Sequence, residues 1–343
     1  MFGHMVSLAL CIFAQTPAPP EPVAPGSVVE QMKTEAAAMA ALVQSSLAKE
    51  FVTGFQCLPP LATLRVAYFN RDTRDAMSAE EAGGMTEEQL KGYAKRDIDE
   101  QFFYTTRYGT PVAFTRTMEI LGRAGVKHVD GLKLVDFGFG SIGQLRAIAA
   151  LGGDAVGIEV DELLELMYSE PGDTGTIKRC EVAGKGRDGS VKLVFGQFPA
   201  ETAIVNEVGT GYDVFVSKNT LKHGYIHPEQ QVDPRMLVQL RVDDETFVRS
   251  VYQVLKPGGL ALIYNLSPAP AKDGEPYKPW ADGRSPFTRE LYERIGFAVI
   301  AFDTDDSIAA REMGKTLGWA ESGMNLEADL FGTYTLLRKP PAP

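Results

Sequence analysis

Positive charge is in short supply in this chain. Its 343 residues hold 34 Lys and Arg against 45 Asp and Glu, a net charge of −11, and no dense basic run interrupts that balance. Proteins that grip a phosphate backbone carry a basic surface, so the balance argues against a nucleic-acid partner and favours small-molecule chemistry. No internal repeat is visible. The apolar run at 5–14 is ten residues long, too short for a stable membrane span. Cysteine is scarce as well: Cys11, Cys57 and Cys180 are the full set. A Cys57–Cys180 disulfide becomes possible after export, but two cysteines so far apart in sequence are more often separate buried thiols.

The 5–14 run is followed by Gln15 and a Pro-rich stretch at 16–25, which suits a signal peptide cut near Ala14. The leading residues hold only His4 and no Lys or Arg, and Ile12 is a poor residue three before the cut. Export to the periplasm or beyond is the expectation; a mis-assigned start, leaving the protein cytoplasmic, is the alternative.

An apolar fraction of 44% and a charged fraction of 23% are ordinary for a globular protein, and the length suits one large domain plus an extension. Residues 1–26 form the signal-like segment and linker, 27–104 a mainly helical extension, and 105–340 the principal domain. Within the extension, 27–51 is Ala-rich with Val28, Met32, Met39, Leu42 and Leu47 along it, which predicts a helix packed on the domain. A short strand is expected at 64–69. Thr86 and Gln89 make a capping box that predicts a helix running toward Phe103. From Thr110, a cap followed by Pro111, the pattern turns regular. Strands are expected at 133–136, 155–159, 191–195, 212–217, 260–264, 297–302 and 332–337. Helices fall at 110–125, 142–151, 162–168, 245–255 and 289–295, with a hairpin or loop at 171–189. Strands alternating with helices imply a mostly parallel α/β sheet with helices on both faces.

The run Leu134-Val135-Asp136-Phe137-Gly138-Phe139-Gly140-Ser141-Ile142-Gly143 carries the sharpest chemical signal. A strand ends in an acid, and glycines then lead into a helix. Such glycines let a ligand approach the backbone, and the helix start offers free N–H groups. A second strand ends in Glu159 about twenty residues on, where a carboxylate can accept ribose hydroxyls. Asp136 just ahead of the glycines, and Leu255-Lys256-Pro257-Gly258-Gly259 before an apolar strand, favour one nucleotide family over NAD-type domains. In this ordered set the chain resembles the class I S-adenosylmethionine-dependent methyltransferases over about residues 105–340.

That resemblance implies a Rossmann-like, seven-stranded sheet whose last strand runs antiparallel beside the fifth. It implies S-adenosylmethionine as cofactor. Gly138, Gly140 and Gly143 would form the cradle, Asp136 would bond nearby backbone or the ligand ammonium, and Glu159 would hold the ribose. An acid often follows the third strand in this family; here Gln197 stands there, and its amide can still accept from the adenine amine. Tyr108 or Arg107 would close over the cofactor carboxylate, unless the aromatics of 102–109 simply pack the extension onto the sheet.

Two polar clusters follow the fourth and fifth strands. The first holds Lys218, Asn219 and Tyr225 as substrate contacts, with His223 and His227 as candidate bases, since histidine titrates near neutrality. Histidines four apart also suggest a metal, but no cysteine or close acid completes a ligand set. The second cluster, 276–287, offers Trp280, Asp282 and Arg284 as a lid or substrate wall. A methyltransferase for a small molecule or an exposed side chain is the leading reading. The rivals are an NAD(P)-dependent oxidoreductase on the same cradle and a non-catalytic exported binding protein that keeps the fold.

Overall fold

Leu134-Val135 and Val214-Phe215-Val216 bury consecutive residues, so both faces of these strands are covered. Continuous burial of this kind marks a parallel sheet flanked by helices. The computed structural model describes residues 27–106 and 109–342. The signal-like run, Cys11, Arg107 and Tyr108 therefore lie outside the described residues.

The extension opens with α1 (Ser27–Met39) and α2 (Ser46–Gly54), two helices where one was expected. Ser45 makes the break: its side chain caps α2 at the Ala48 N–H. Glu119, far along the chain, accepts from the Gln44 N–H, the Ser45 N–H and the Ser45 hydroxyl. Glu100 likewise accepts from the N–H groups of Val29 and Leu61. Strands β1 (Arg65–Asn70) and β2 (Ala76–Ser78), helix α3 (Ala79–Gly83), β3 (Tyr93–Ile98) and α4 (Glu100–Tyr104) complete the extension. The three strands form an antiparallel sheet in the order β2-β1-β3, so the extension is not purely helical. The capping bonds between Thr86 and Gln89 are present, but they close a single turn. Gly92, at φ +93°, turns the chain out of it into β3, which takes up the open edge of β1.

The principal domain runs α5 (Thr115–Arg123), β4 (Lys133–Phe137), α6 (Gly143–Ala150), β5 (Asp154–Glu159), α7 (Glu162–Met167), β6 (Gly175–Ile177), β7 (Gly189–Phe195), α8 (Thr202–Val208), β8 (Tyr212–Lys218) and α9 (His223–Ile226). It continues with α10 (Asp244–Val254), β9 (Leu255–Ser267), α11 (Arg289–Ile295), β10 (Ala298–Asp305), α12 (Ser307–Thr316), α13 (Leu326–Asp329) and β11 (Phe331–Arg338). The Thr110 hydroxyl caps the turn that leads into α5, as its pairing with Pro111 predicts. The sheet order is β10-β11-β9-β8-β4-β5-β7-β6. Strands β9, β8, β4, β5 and β7 are parallel, and β11 runs antiparallel between β9 and β10. The eighth strand, one more than expected, is β6, paired antiparallel with β7 as the outer arm of the anticipated hairpin. The 255–259 run lies inside β9 as an irregularity, since Tyr212 faces Leu255 while Val214 faces Leu260. Among the described residues, no helix is long and apolar enough to cross a membrane.

The extension packs on the domain through its own apolar face. Leu47, Phe51 and Phe55 of the α2 region share one core with Leu134, Leu145 and Val214. Arg65 on β1 makes a bidentate pair with Asp173 at 2.6 and 2.9 Å. Cys57 and Cys180 form a disulfide with a Cα–Cα distance of 5.8 Å, which corrects the expectation of separate thiols. Packing of α2 on α6 carries Cys57 to the β6–β7 hairpin, a proximity that spacing in sequence does not reveal.

Candidate functional site

The five parallel strands end on one edge, where α/β sheets place their ligands. Gly138 and Gly140 adopt φ of +74° and +63° at the end of β4. A side chain at Gly138 would collide with Thr220, and a Cβ on Gly140 would sit 3.2 Å from the Thr106 methyl. Gly143 also has a packing task. Its missing Cβ is where the Pro111 ring packs, 2.6 Å from that position, so this glycine seats α6 against the segment before α5.

Asp136 is 1% exposed. Its Oδ2 accepts from Gln144 Nε2 at 3.1 Å, and the same amide donates to the Phe139 carbonyl at 2.7 Å. Gln144, which the sequence reading passed over, therefore ties the glycine turn to the acid ahead of it. Asp136 Oδ1 is buried without a partner. Burial pushes this carboxyl up to about 7, against the pull of Gln144 and Lys218. An unfolded Asp releases its proton near pH ~3.9. Stability linked to Asp136 is thus full below about pH 4 and is lost as pH rises through about 7. Asp136→Asn removes that loss. Urea titrations at about pH 5 and about pH 8 should then differ less in the variant than in wild type, and equal differences would overturn the assignment.

Glu159 closes β5 half-buried, with one oxygen accepting the Val160 N–H at 2.9 Å. Burial raises its carboxyl above the usual range, opposed mainly by that N–H. Gln197, half-buried after β7, donates its backbone N–H to Glu201. Its side-chain amide makes no bond among the described residues.

The second half of the site is built where two loops meet. Lys218 ends β8, half-buried. Asn219, at φ +67°, accepts the Leu266 N–H at 2.7 Å. It is therefore a turn-forming residue whose side-chain carbonyl oxygen is bonded to β9. Lys222 donates to the carbonyls of Leu266 and Trp280, and burial pushes its ammonium down to about 7. Buried Asn265 donates to the carbonyls of Leu221 and Gly283. These two residues bind the loop after β8 to the loop after β9, and neither was singled out from sequence.

Their joining brings His223 to Asp282, with Nδ1 to Oδ2 at 3.0 Å, while the His223 N–H donates to the Arg284 carbonyl. Arg284 clamps both oxygens of Asp282 at 2.8 and 2.6 Å and reaches Glu229. Burial alone would raise the Asp282 carboxyl, but Arg284 and His223 hold it below its ordinary value. With Nδ1 engaged by Asp282, Nε2 is the ring nitrogen of His223 not committed to that pair. His227 is placed differently. Its Nε2 lies 3.0 Å from both oxygens of Asp244 at the start of α10, on an exposed surface. Tyr225 receives the Lys222 ammonium over its ring at 5.4 Å. Trp280 gives its carbonyl to Lys222, and its residue surface is 37% exposed. Among the described residues, no three His, Cys, Asp or Glu side chains are grouped to hold a metal ion.

The deciding observation for the fold is the strand order, five parallel strands with β11 reversed between β9 and β10. The fold is that of the class I S-adenosylmethionine-dependent methyltransferases. No family model and no curated protein matches the chain. Solved structures similar to it include an S-adenosylmethionine-dependent methyltransferase from Mesorhizobium loti, with 16% identity, TM-score 0.36, and coverage of 66% of this chain and 97% of that one. Another is phosphoethanolamine N-methyltransferase 2 of Haemonchus contortus in complex with S-adenosylhomocysteine, at 12% identity and TM-score 0.37, covering 88% of this chain and 76% of the other. A third is the [4+2]-cyclase SpnF, at 16% identity and TM-score 0.36, covering 62% and 76%. The fold assignment rests on topology, not on these scores. The left-handed glycines, the half-buried Glu159, the Gln197 amide and the Asp136 oxygen without a hydrogen bond are the groups that could hold a nucleoside-type cofactor such as S-adenosylmethionine.

Proposed function

We propose that this protein is an S-adenosylmethionine-dependent methyltransferase acting on a small molecule or an exposed side chain. The observation that carries the reading is the convergence of the glycine turn, Glu159 and the His223–Asp282 pair on one sheet edge. The cofactor supplies a methyl group already activated on sulfonium. Glu159 is assigned the ribose hydroxyls, Gln197 the adenine amine, and Gly138 and Gly140 the close approach of the methionine part. His223 takes the proton from the acceptor hydroxyl or amine, with Asp282 holding its ring. Placement of the acceptor and exclusion of water supply much of the rate.

Titration with S-adenosylhomocysteine against NADH tests the reading, and binding of NADH alone would replace it with the oxidoreductase. Glu159→Gln should weaken S-adenosylhomocysteine binding by about 1.5–3 kcal/mol, the scale of a lost charged hydrogen bond. Calorimetry checks this, and unchanged affinity would remove Glu159 from the ribose.

Export is the second part of the proposal. The Cys57–Cys180 disulfide supports it, because such bonds persist in oxidising compartments. It also favours keeping a non-catalytic exported binding protein as the second reading. N-terminal sequencing from the native host checks export, with a start near Gln15 expected and an intact Met1 counting against it.

A further inference from the structure

Among the described residues, Lys218 on the carboxyl edge is a cation with no hydrogen bond or ion pair. Val216 lies beside Asp136 in the β4–β8 register, so Lys218 stands two residues further on, level with the glycine turn that begins at Gly138. Side chains alternate along a strand, which puts Lys218 on the same sheet face as Val216 and Asp136. Lys222, four residues on, has two carbonyl acceptors. Lys218 is half-buried, and its ammonium makes no hydrogen bond or ion pair among the described residues. Its electrostatic partner is Asp136, whose Oδ1 is itself without a hydrogen bond.

A partly desolvated ammonium with no acceptor is costly unless a ligand supplies one. Burial accordingly pushes Lys218 down to about 8, and only Asp136 opposes it. The Asp136 and Glu159 carboxyls line this end of the cradle, which suits an ammonium and a ribose but offers a carboxylate no partner. An amino-acid end carries both charges, and Lys218 is placed to take the negative one.

We propose that Lys218 is the ion-pair partner of the α-carboxylate on the cofactor's methionine part. The proposal rests on the cradle being an S-adenosylmethionine site. It moves Lys218 from the acceptor side of the reaction, where the sequence reading put it, to the donor side.

Calorimetric titration of the full chain with three probes tests it. S-adenosylhomocysteine has both charges, its decarboxylated analogue keeps the amine alone, and 5′-deoxy-5′-methylthioadenosine has neither. Wild type should bind S-adenosylhomocysteine about tenfold or more tighter than the decarboxylated analogue. Lys218→Met should erase that preference while leaving methylthioadenosine affinity unchanged, and Lys218→Arg should restore most of it. Equal affinity of wild type for the first two probes overturns the proposal without needing any variant to fold. So does a Met variant that weakens all three probes alike, which is the mark of a structural role. Binding of none of the three by wild type overturns the cradle reading itself, and the lysine assignment with it.

Discussion

Replacing His223 with Asn should lower the proposed methyl transfer by about a hundredfold or more, while S-adenosylhomocysteine affinity should stay near wild type. The split follows from position. His223 follows the end of β8 and is tied to the loop after β9 through Asp282 and the Arg284 carbonyl, whereas the side chains proposed to hold the cofactor sit on the loops after β4, β5 and β7. Asn preserves a polar side chain of similar reach but cannot accept a proton near neutrality. His227→Asn serves as the internal control and should leave turnover near wild type, because its Nε2 is engaged by Asp244 at the surface. A labelled-methyl assay with each variant decides the matter. Undiminished turnover in the His223 variant would assign that side chain to loop packing and leave placement and desolvation as the source of rate.

Removing the Cys57–Cys180 bridge should cost about 4–5 kcal/mol of stability, the scale the chain-entropy relation gives for a loop of this length. The two cysteines are 123 residues apart, so the bridge closes a loop that takes in the β1–β3 sheet, the glycine turn and Glu159. It also pins the end of α2 to the hairpin at the far edge of the main sheet. Urea denaturation of wild type and a Cys57→Ser/Cys180→Ser variant, with and without reductant, measures the effect. Reductant should move the wild-type midpoint down to that of the variant and leave the variant unmoved. Coincident midpoints for oxidised and reduced wild type would mean that packing of Leu47, Phe51 and Phe55 alone secures the extension.

The sheet was readable because its strands announce themselves. Leu134-Val135 and Val214-Phe215-Val216 are apolar runs bounded by acid, glycine or polar residues, and the glycine turn marks where the first of them ends. Helices α8 and α12 escaped notice because Thr202–Val208 and Ser307–Thr316 lack a dominant cap-and-stripe pattern. The extension was read as helical because a capping box specifies a helix start but not its length, and only pairing with β1 decides that 93–98 is extended. In the site, strand-end residues such as Asp136 and Glu159 were legible from local grammar. The partnership of His223 with Asp282 was not, since it depends on Lys222 and Asn265 drawing two loops together across 44 residues of chain in each case. The packing of Asn219 on β9 and of Gly143 against Pro111 was not legible for the same reason: each is set by a neighbour distant in sequence.

The acids that hold the extension have a consequence for the order in which the chain can be made. Helices α1 and α2 are made before the groups that accept from the N–H groups at their starts: Glu100 and Glu119 come 71 and 75 residues after their partners Val29 and Gln44. The surface that buries Phe51 is synthesised later still, with α5 and α6, and the partner of Cys57 follows that. Nascent α2, at 9 residues, is too short to persist alone in water. Helix α2 therefore gains its full set of contacts only once α5 and α6 have been made. A chain that must be threaded through a membrane pore before folding gains from such a delay, and a truncated product ending before α5 would present the apolar face of α2 to proteases and to other chains.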